Sequence, residues 1–309
     1  MLTRRTLLAA TLAAPAILPR ASVGQGLTKV KIGSAFTTTT NAAFLMPKHL
    51  KPMGIDAEVI SFPSLVQRMQ AVASGDVDVG NGGLSGTMQI DTKGFPMNVL
   101  ANGCDGGWML IANKSIGTFA DLKGKKIAVQ NGSIGLVSLK YKLKQEGLAD
   151  SVELLFMDNQ DQPIPLMRGD VAAMCCFEPY ATLATMNGWG KPLWVPYDTP
   201  MGKTNLGFVA SAGFVAKNPD LTRKIVAAHV AATKELIDDP SIAVRTTMDQ
   251  FKMNKEVAEA STKNLFFSTE SGPAFQSGLK ALAGMMVENR MLDREPDWSK
   301  FINTSFLPA

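Results

Sequence analysis

Val72-Ala73-Ser74-Gly75-Asp76-Val77-Asp78-Val79 is echoed further along the chain by Leu166-Met167-Arg168-Gly169-Asp170-Val171-Ala172-Ala173. In each stretch a run with apolar residues at helical spacing stops at a glycine, and an apolar segment follows the Gly-Asp-Val. Glycine adopts the left-handed conformation that closes many helices. A short apolar run bounded by turn residues reads as a buried strand. The first copy runs into the Gly-rich segment Asn81-Gly82-Gly83-Leu84-Ser85-Gly86 and the second into Phe177-Glu178-Pro179. Both halves of the chain therefore carry one helix–strand unit of the same design.

The flanking sequence repeats the alternation. Strands are expected at Lys29–Gly33, Ile55–Ile60, Val77–Gly80, Val99–Ala101, Met109–Ala112, Lys125–Val129, Val152–Phe156 and Val171–Phe177. Helices are expected over Ala42–Leu50, Leu65–Ala73, Leu136–Glu146, Pro163–Met167 and Tyr180–Met186, and over most of the chain beyond Pro219. Leu206–Ala216 reads as a long strand or crossing segment. Alternating strands and helices define the α/β class with mostly parallel sheets, here as two α/β lobes.

In open parallel sheets, ligands bind beyond the carboxyl ends of the strands. The segments 36–41, 81–86, 130–135 and 177–180 fall there. Glycine admits close backbone approach, and helix N-termini offer unpaired N–H donors with a partial positive charge. The candidate ligand contacts are Phe36, Thr37, Thr38, Asn41, Gly83, Ser85, Trp108, Asn131, Ser133, Phe177, Glu178 and Tyr180. Thr38, Asn41, Ser85 and Ser133 are expected to donate hydrogen bonds from both lobes, and the aromatic residues suit a flat heterocycle. For any single loop, ordinary helix capping by Ser, Thr or Asn is the competing reading.

Composition narrows the classes. The 309 residues carry 31 basic and 27 acidic side chains. Three of the basic ones, Arg4, Arg5 and Arg20, lie in the first 26 residues, where two arginines precede the apolar run Leu7–Leu18. That run is too short for a membrane span and reads as an export signal of twin-arginine type. The balanced charge of the remainder offers no basic surface for nucleic acid, and no stable membrane insertion is expected. His49 and His229 have no ligand spacing to Cys104, Cys175 or Cys176, so neither a metal nor another cofactor is expected. The cysteines read as small buried hydrophobes. Dinucleotide, phosphate-loop and nucleophile-elbow fingerprints are missing from the sequence.

Taken together, Gly75-Asp76-Val77-Asp78-Val79, Asp121-Leu122-Lys123-Gly124-Lys125-Lys126-Ile127-Ala128-Val129, Gly169-Asp170-Val171-Ala172-Ala173, Phe177-Glu178-Pro179-Tyr180 and Asp297-Trp298-Ser299-Lys300-Phe301 give the sequence a likeness. It resembles the periplasmic binding proteins of the aliphatic-sulfonate, taurine, nitrate and thiamine-pyrimidine-precursor family. The resemblance implies two lobes around a ligand cleft, joined by two hinge crossings near Met109–Ala112 and Gly207–Gly213. Lobe one is then 28–110 plus 212–309 and lobe two 111–211, after a signal segment at 1–26. It further implies a periplasmic monomer that captures a small organic anion or heterocycle and delivers it to the permease and ATPase of an ABC importer. Phe177 stands where many relatives carry Trp, and Cys175-Cys176 replace a Val-rich strand end. A pyrimidine-precursor synthase of the same fold is the alternative, and it needs a pyridoxal-binding lysine.

Overall fold

The computed structural model describes residues 27–308. The export signal expected over 1–26 lies outside the described residues. The chain forms β1 (Thr28–Ala35), α1 (Asn41–Leu50), β2 (Ile55–Phe62), α2 (Leu65–Ser74), β3 (Val79–Gly83), α3 (Leu84–Thr92) and β4 (Met97–Gly106). It then enters a second series: β5 (Trp108–Ala112), β6 (Lys126–Val129), α4 (Ile134–Gln145), β7 (Glu153–Phe156), α5 (Pro163–Arg168), β8 (Ala173–Phe177), α6 (Tyr180–Met186) and β9 (Lys191–Trp194). The remainder is β10 (Leu206–Ser211), α7 (Ala212–Lys217), α8 (Pro219–Asp238), α9 (Pro240–Phe251), α10 (Lys255–Thr262), β11 (Leu265–Phe267), α11 (Pro273–Glu288) and α12 (Trp298–Phe301).

Two sheets result, with strand orders β11-β4-β10-β3-β1-β2 and β7-β6-β8-β5-β9. β1, β2 and β3 are parallel, as are β6, β7 and β8, while β10 and β5 run antiparallel beside β3 and β8. The sequence echo is matched in structure. Gly75 and Gly169 have φ of 86° and 80°. The amides of Val77 and Val171 reach back to the carbonyls of Ala71 and Pro165. Four residues after each glycine the strand begins, at Val79 and Ala173, and pairs with Ile32 and Ile127 respectively.

Several elements differ from their expected form. Asn81-Gly82-Gly83 is not a turn but the end of β3, paired with Phe208, Gly207 and Leu206, and α3 starts directly at Leu84. Its glycines answer crowding: a Cβ on Gly82 would lie 2.7 Å from Val209 Cγ2 and 2.9 Å from Thr87 Oγ1. β10 stops at Ser211, whose hydroxyl caps α7 by accepting from the Phe214 amide at 3.2 Å. The passages between sheets are also displaced. Met109–Ala112 lies inside the second sheet and Gly207–Ser211 inside the first. The chain leaves the first sheet at Gly106–Gly107, where φ of 73° and 80° turn it, and returns between Trp194 and Leu206.

One apolar cluster spans both sheets, from Leu84, Val99 and Val209 to Ile127, Val129 and Ala173, with Leu279, Leu282 and Met286 of α11 packed on it. Cys104, Cys175 and Cys176 are buried thiols within the cores. Among the described residues no helix is long and apolar enough to cross a membrane, and no cluster of His, Cys, Asp and Glu is arranged for a metal.

Candidate functional site

The carboxyl ends of the parallel strands from both sheets converge on one cavity. Ala35 and Phe36 follow from β1, Gly83 from β3, Gln130 from β6 and Phe177 from β8, and all five line it. It is narrow, with about 450 Å³ of empty space counted out to its mouth. α2 and α4 begin at its wall: Pro63 and Leu65 come from the start of one and Ser133 and Ile134 from the start of the other. Two helix N-termini, one per lobe, thus bring partial positive charge to the same space.

The aromatic wall follows from strand register. Trp108 faces Phe177 across the antiparallel β5–β8 pair, which puts both side chains on one face. Their ring centroids are 3.4 Å apart with a 36° tilt, so the two rings cover each other. Gly135 leaves room for the indole, since a Cβ there would collide with its six-membered ring. The indole Nε1 is buried without a protein partner.

Arg68 dominates the electrostatics. It projects from the first turn of α2, is 4% exposed, and is the single charged residue lining the cavity among the described residues. No ion pair or side-chain hydrogen bond to it exists among the described residues, and its Nε is buried and unpaired. Burial lowers its pKa to about 10, which leaves it protonated at neutral pH. A buried cation without a counter-charge is costly, and at a helix N-terminus the dipole opposes it further. A bound anion relieves both.

The candidate contacts separate into two groups. Phe36, Thr37, Gly83, Trp108, Ser133 and Phe177 line the cavity. The others do not. Asn41 Nδ2 donates to the Ala243 carbonyl at 2.9 Å and to Thr247 Oγ1 at 3.0 Å, tying α1 to α9. Thr38 points its hydroxyl into protein, where Oγ1 has no partner, while its amide donates to the Glu178 carbonyl. Ser85 Oγ donates to the Gly132 carbonyl at 2.8 Å. Tyr180 Oη donates to the Phe36 carbonyl at 2.9 Å. Asn131 is exposed and lines a separate apolar groove with Val66 and Phe95. Glu178 is fully buried; it accepts from Thr182 Oγ1 at 2.8 Å, the Thr182 amide at 3.1 Å and Asn264 Nδ2 at 2.6 Å. Burial raises its carboxyl to about 7.

Thr39 and Gln130, within the expected segments 36–41 and 130–135, also line the cavity, and so do Arg68, Asn159, Gln160 and Asn205, which lie outside those segments. Arg68 carried a signal: a lone arginine follows Leu65 and Val66 and precedes Met69 on an otherwise apolar helix face. The amides carried none, because Gln130 and Asn159 become neighbours, at 3.0 Å, only when β6 and the segment after β7 come together.

The fold is that of the periplasmic binding proteins. The chain belongs to the NMT1/THI5-like family, whose sequence profile matches residues 49–243. A Brucella abortus protein provisionally described as a binding protein is 27% identical over 271 residues, covering 84% of this chain and 83% of its own. The ligand-binding component of an ABC-type import system from Staphylococcus aureus, solved with zinc bound, superposes with a TM-score of 0.81 at 17% identity, over 90% of this chain and 97% of the other. The alkanesulfonate-binding protein of Xanthomonas axonopodis pv. citri, bound to MOPS, gives 0.77 at 18% identity, over 91% and 99%.

Proposed function

We propose that this chain is the extracytoplasmic solute-binding component of an ABC importer and captures a small anion in the cavity between its lobes, handing it to a permease and its ATPase. The observation that carries this reading is Arg68, a buried guanidinium with no protein partner in the cavity. The ligand supplies the missing charge, and the N-termini of α2 and α4 add to its attraction. Sulfonate, carboxylate and nitrate groups all fit that chemistry, and the named relatives include an alkanesulfonate binder. An export signal at Arg4-Arg5 and Leu7–Leu18 supports a periplasmic location. Binding is favoured over a pyridoxal-dependent synthase by the cavity wall, which contains no lysine among the described residues.

The two lobes meet around the ligand, and the Gly106–Gly107 and 195–205 passages act as the hinges. Thermal shift with the mature protein, using MOPS, methanesulfonate and nitrate as probes, tests the reading. At least one anion raises the melting temperature in wild type. Arg68→Met weakens that anion roughly ten- to hundredfold, as loss of a charge-assisted hydrogen bond of about 1.5–3 kcal/mol requires. Unchanged affinity in the variant overturns the assignment.

A further inference from the structure

Three residues that line the cavity each hold a buried polar atom with no protein partner among the described residues: Arg68 Nε, Trp108 Nε1 and Asn205 Oδ1. The first two are donors and match an oxyanion. Asn205 is different. Its Nδ2 is committed to the Gly106 carbonyl at 2.6 Å, which fixes the amide so that Oδ1 is the free end. Asn205 is fully buried immediately before β10, so Oδ1 is an acceptor held in place. Unpaired buried acceptors are uncommon and costly, and a ligand donor satisfies one directly.

The charge inventory sets a further limit. Among the described residues no aspartate or glutamate lines the cavity, and a ligand ammonium there would be desolvated beside the Arg68 guanidinium with no lining carboxylate to pair with. Burying an unpaired cation beside another is strongly unfavourable. We propose that the ligand carries one neutral hydrogen-bond donor, a hydroxyl or amide N–H, beside its oxyanion, and no ammonium group. The inference rests on the reading of this cavity as an anion site and adds the identity of the ligand's other end.

Three two-carbon sulfonates that differ in one substituent test it by calorimetry on the wild-type protein: 2-hydroxyethanesulfonate, ethanesulfonate and 2-aminoethanesulfonate. The hydroxy compound is expected to bind best. Ethanesulfonate, which leaves Asn205 Oδ1 unpaired, binds roughly tenfold more weakly. The amino compound binds at least a hundredfold more weakly. A fourth probe, 3-hydroxypropanoate, distinguishes carboxylate from sulfonate as the oxyanion, and tight binding of either hydroxy acid supports the proposal. Equal affinity for the hydroxy and unsubstituted sulfonates overturns the role of Asn205, and tight binding of the amino compound overturns the exclusion of ammonium. If MOPS or nitrate binds through Arg68 while all four small probes fail, this inference falls and the anion site stands. If no anion binds at all, both fall.

Discussion

Ser85 Oγ, on the first turn of α3, donates across 2.8 Å to the carbonyl of Gly132 in the loop before α4, so a hydroxyl of the first lobe is bonded to the backbone of the second. The bond lies two residues from Gly83 and one from Ser133, both on the cavity wall. On the proposed reading, Ser85 acts on the ligand through the lobes. Ser85→Ala removes about 1 kcal/mol from the closed arrangement and is expected to weaken ligand binding about fivefold, mainly through faster dissociation. Stopped-flow dissociation measured beside calorimetry checks this. An unchanged dissociation rate contradicts it.

Asn41 joins α1 to α9 and faces away from the cavity. Asn41→Ala leaves the Ala243 carbonyl and Thr247 without their partner inside the protein. A loss of about 1–3 kcal/mol is expected, with ligand affinity unaltered. Chemical denaturation and a binding titration on the same variant separate the two effects.

How much of this was legible in the sequence differs between backbone and site. The helix–Gly–strand echo locates both lobes because its causes are local: apolar periodicity, a left-handed glycine, and a strand four residues on. The position of the cavity follows from the carboxyl ends of parallel strands, which strand order alone implies. Which side chains face it depends on one-residue differences in register. Thr38 and Thr39 are sequence neighbours, yet only Thr39 lines the cavity. Gly82 and Gly83 look like turn residues, but their role is set by Val209 and Leu65, which reach them from distant elements. Arg68 was visible as an oddity on an apolar helix face. Its lack of a partner is a property of the assembled cleft.

Ser133 caps α4, accepting from the Leu136 amide at 3.1 Å, and spends its own proton on the Gln130 carbonyl at 2.7 Å. Although it lines the cavity, its donor is already in use. Ser133→Ala is expected to cost about 1 kcal/mol of stability and to change the dissociation constant less than threefold. A tenfold loss of affinity at unchanged melting temperature would reverse this assignment.

Glu178 gives the protein a pH dependence. Burial raises its carboxyl to about 7 in the native state, above the ordinary carboxylate range it has when unfolded. Below that ordinary range it is protonated in both states and costs nothing. As pH rises to 7 the unfolded chain ionises freely while the folded one resists, so stability is lost, on the order of 3 kcal/mol in full. Asp105, raised to about 6 by burial, acts in the same direction. His229, buried and lowered to about 4, acts oppositely, taking stability away as pH falls below its ordinary value. Glu178→Gln is expected to lower the melting temperature at pH 5, since its amide N–H₂ meets donors from Thr182 and Asn264, and to flatten the fall between pH 5 and 7.5. A slope equal to wild type places the titration elsewhere.

Arg68 sets stability against function. Its guanidinium is buried with no carboxylate partner among the described residues and sits in the first turn of α2, where the helix dipole is unfavourable to a cation. Removing one member of a buried ion pair strands its partner, but here no partner is left behind. Methionine replaces the aliphatic stem with a similar volume and has good helix propensity. Arg68→Met is therefore expected to make the ligand-free protein more stable, by about 1 kcal/mol or more, while weakening anion binding. A scaffold arginine predicts the opposite, a drop in melting temperature without ligand and little change in affinity. Melting curves of wild type and variant, each with and without saturating anion, read out both quantities. The curves should cross: the variant melts higher without ligand, and the wild type gains more when the anion is added.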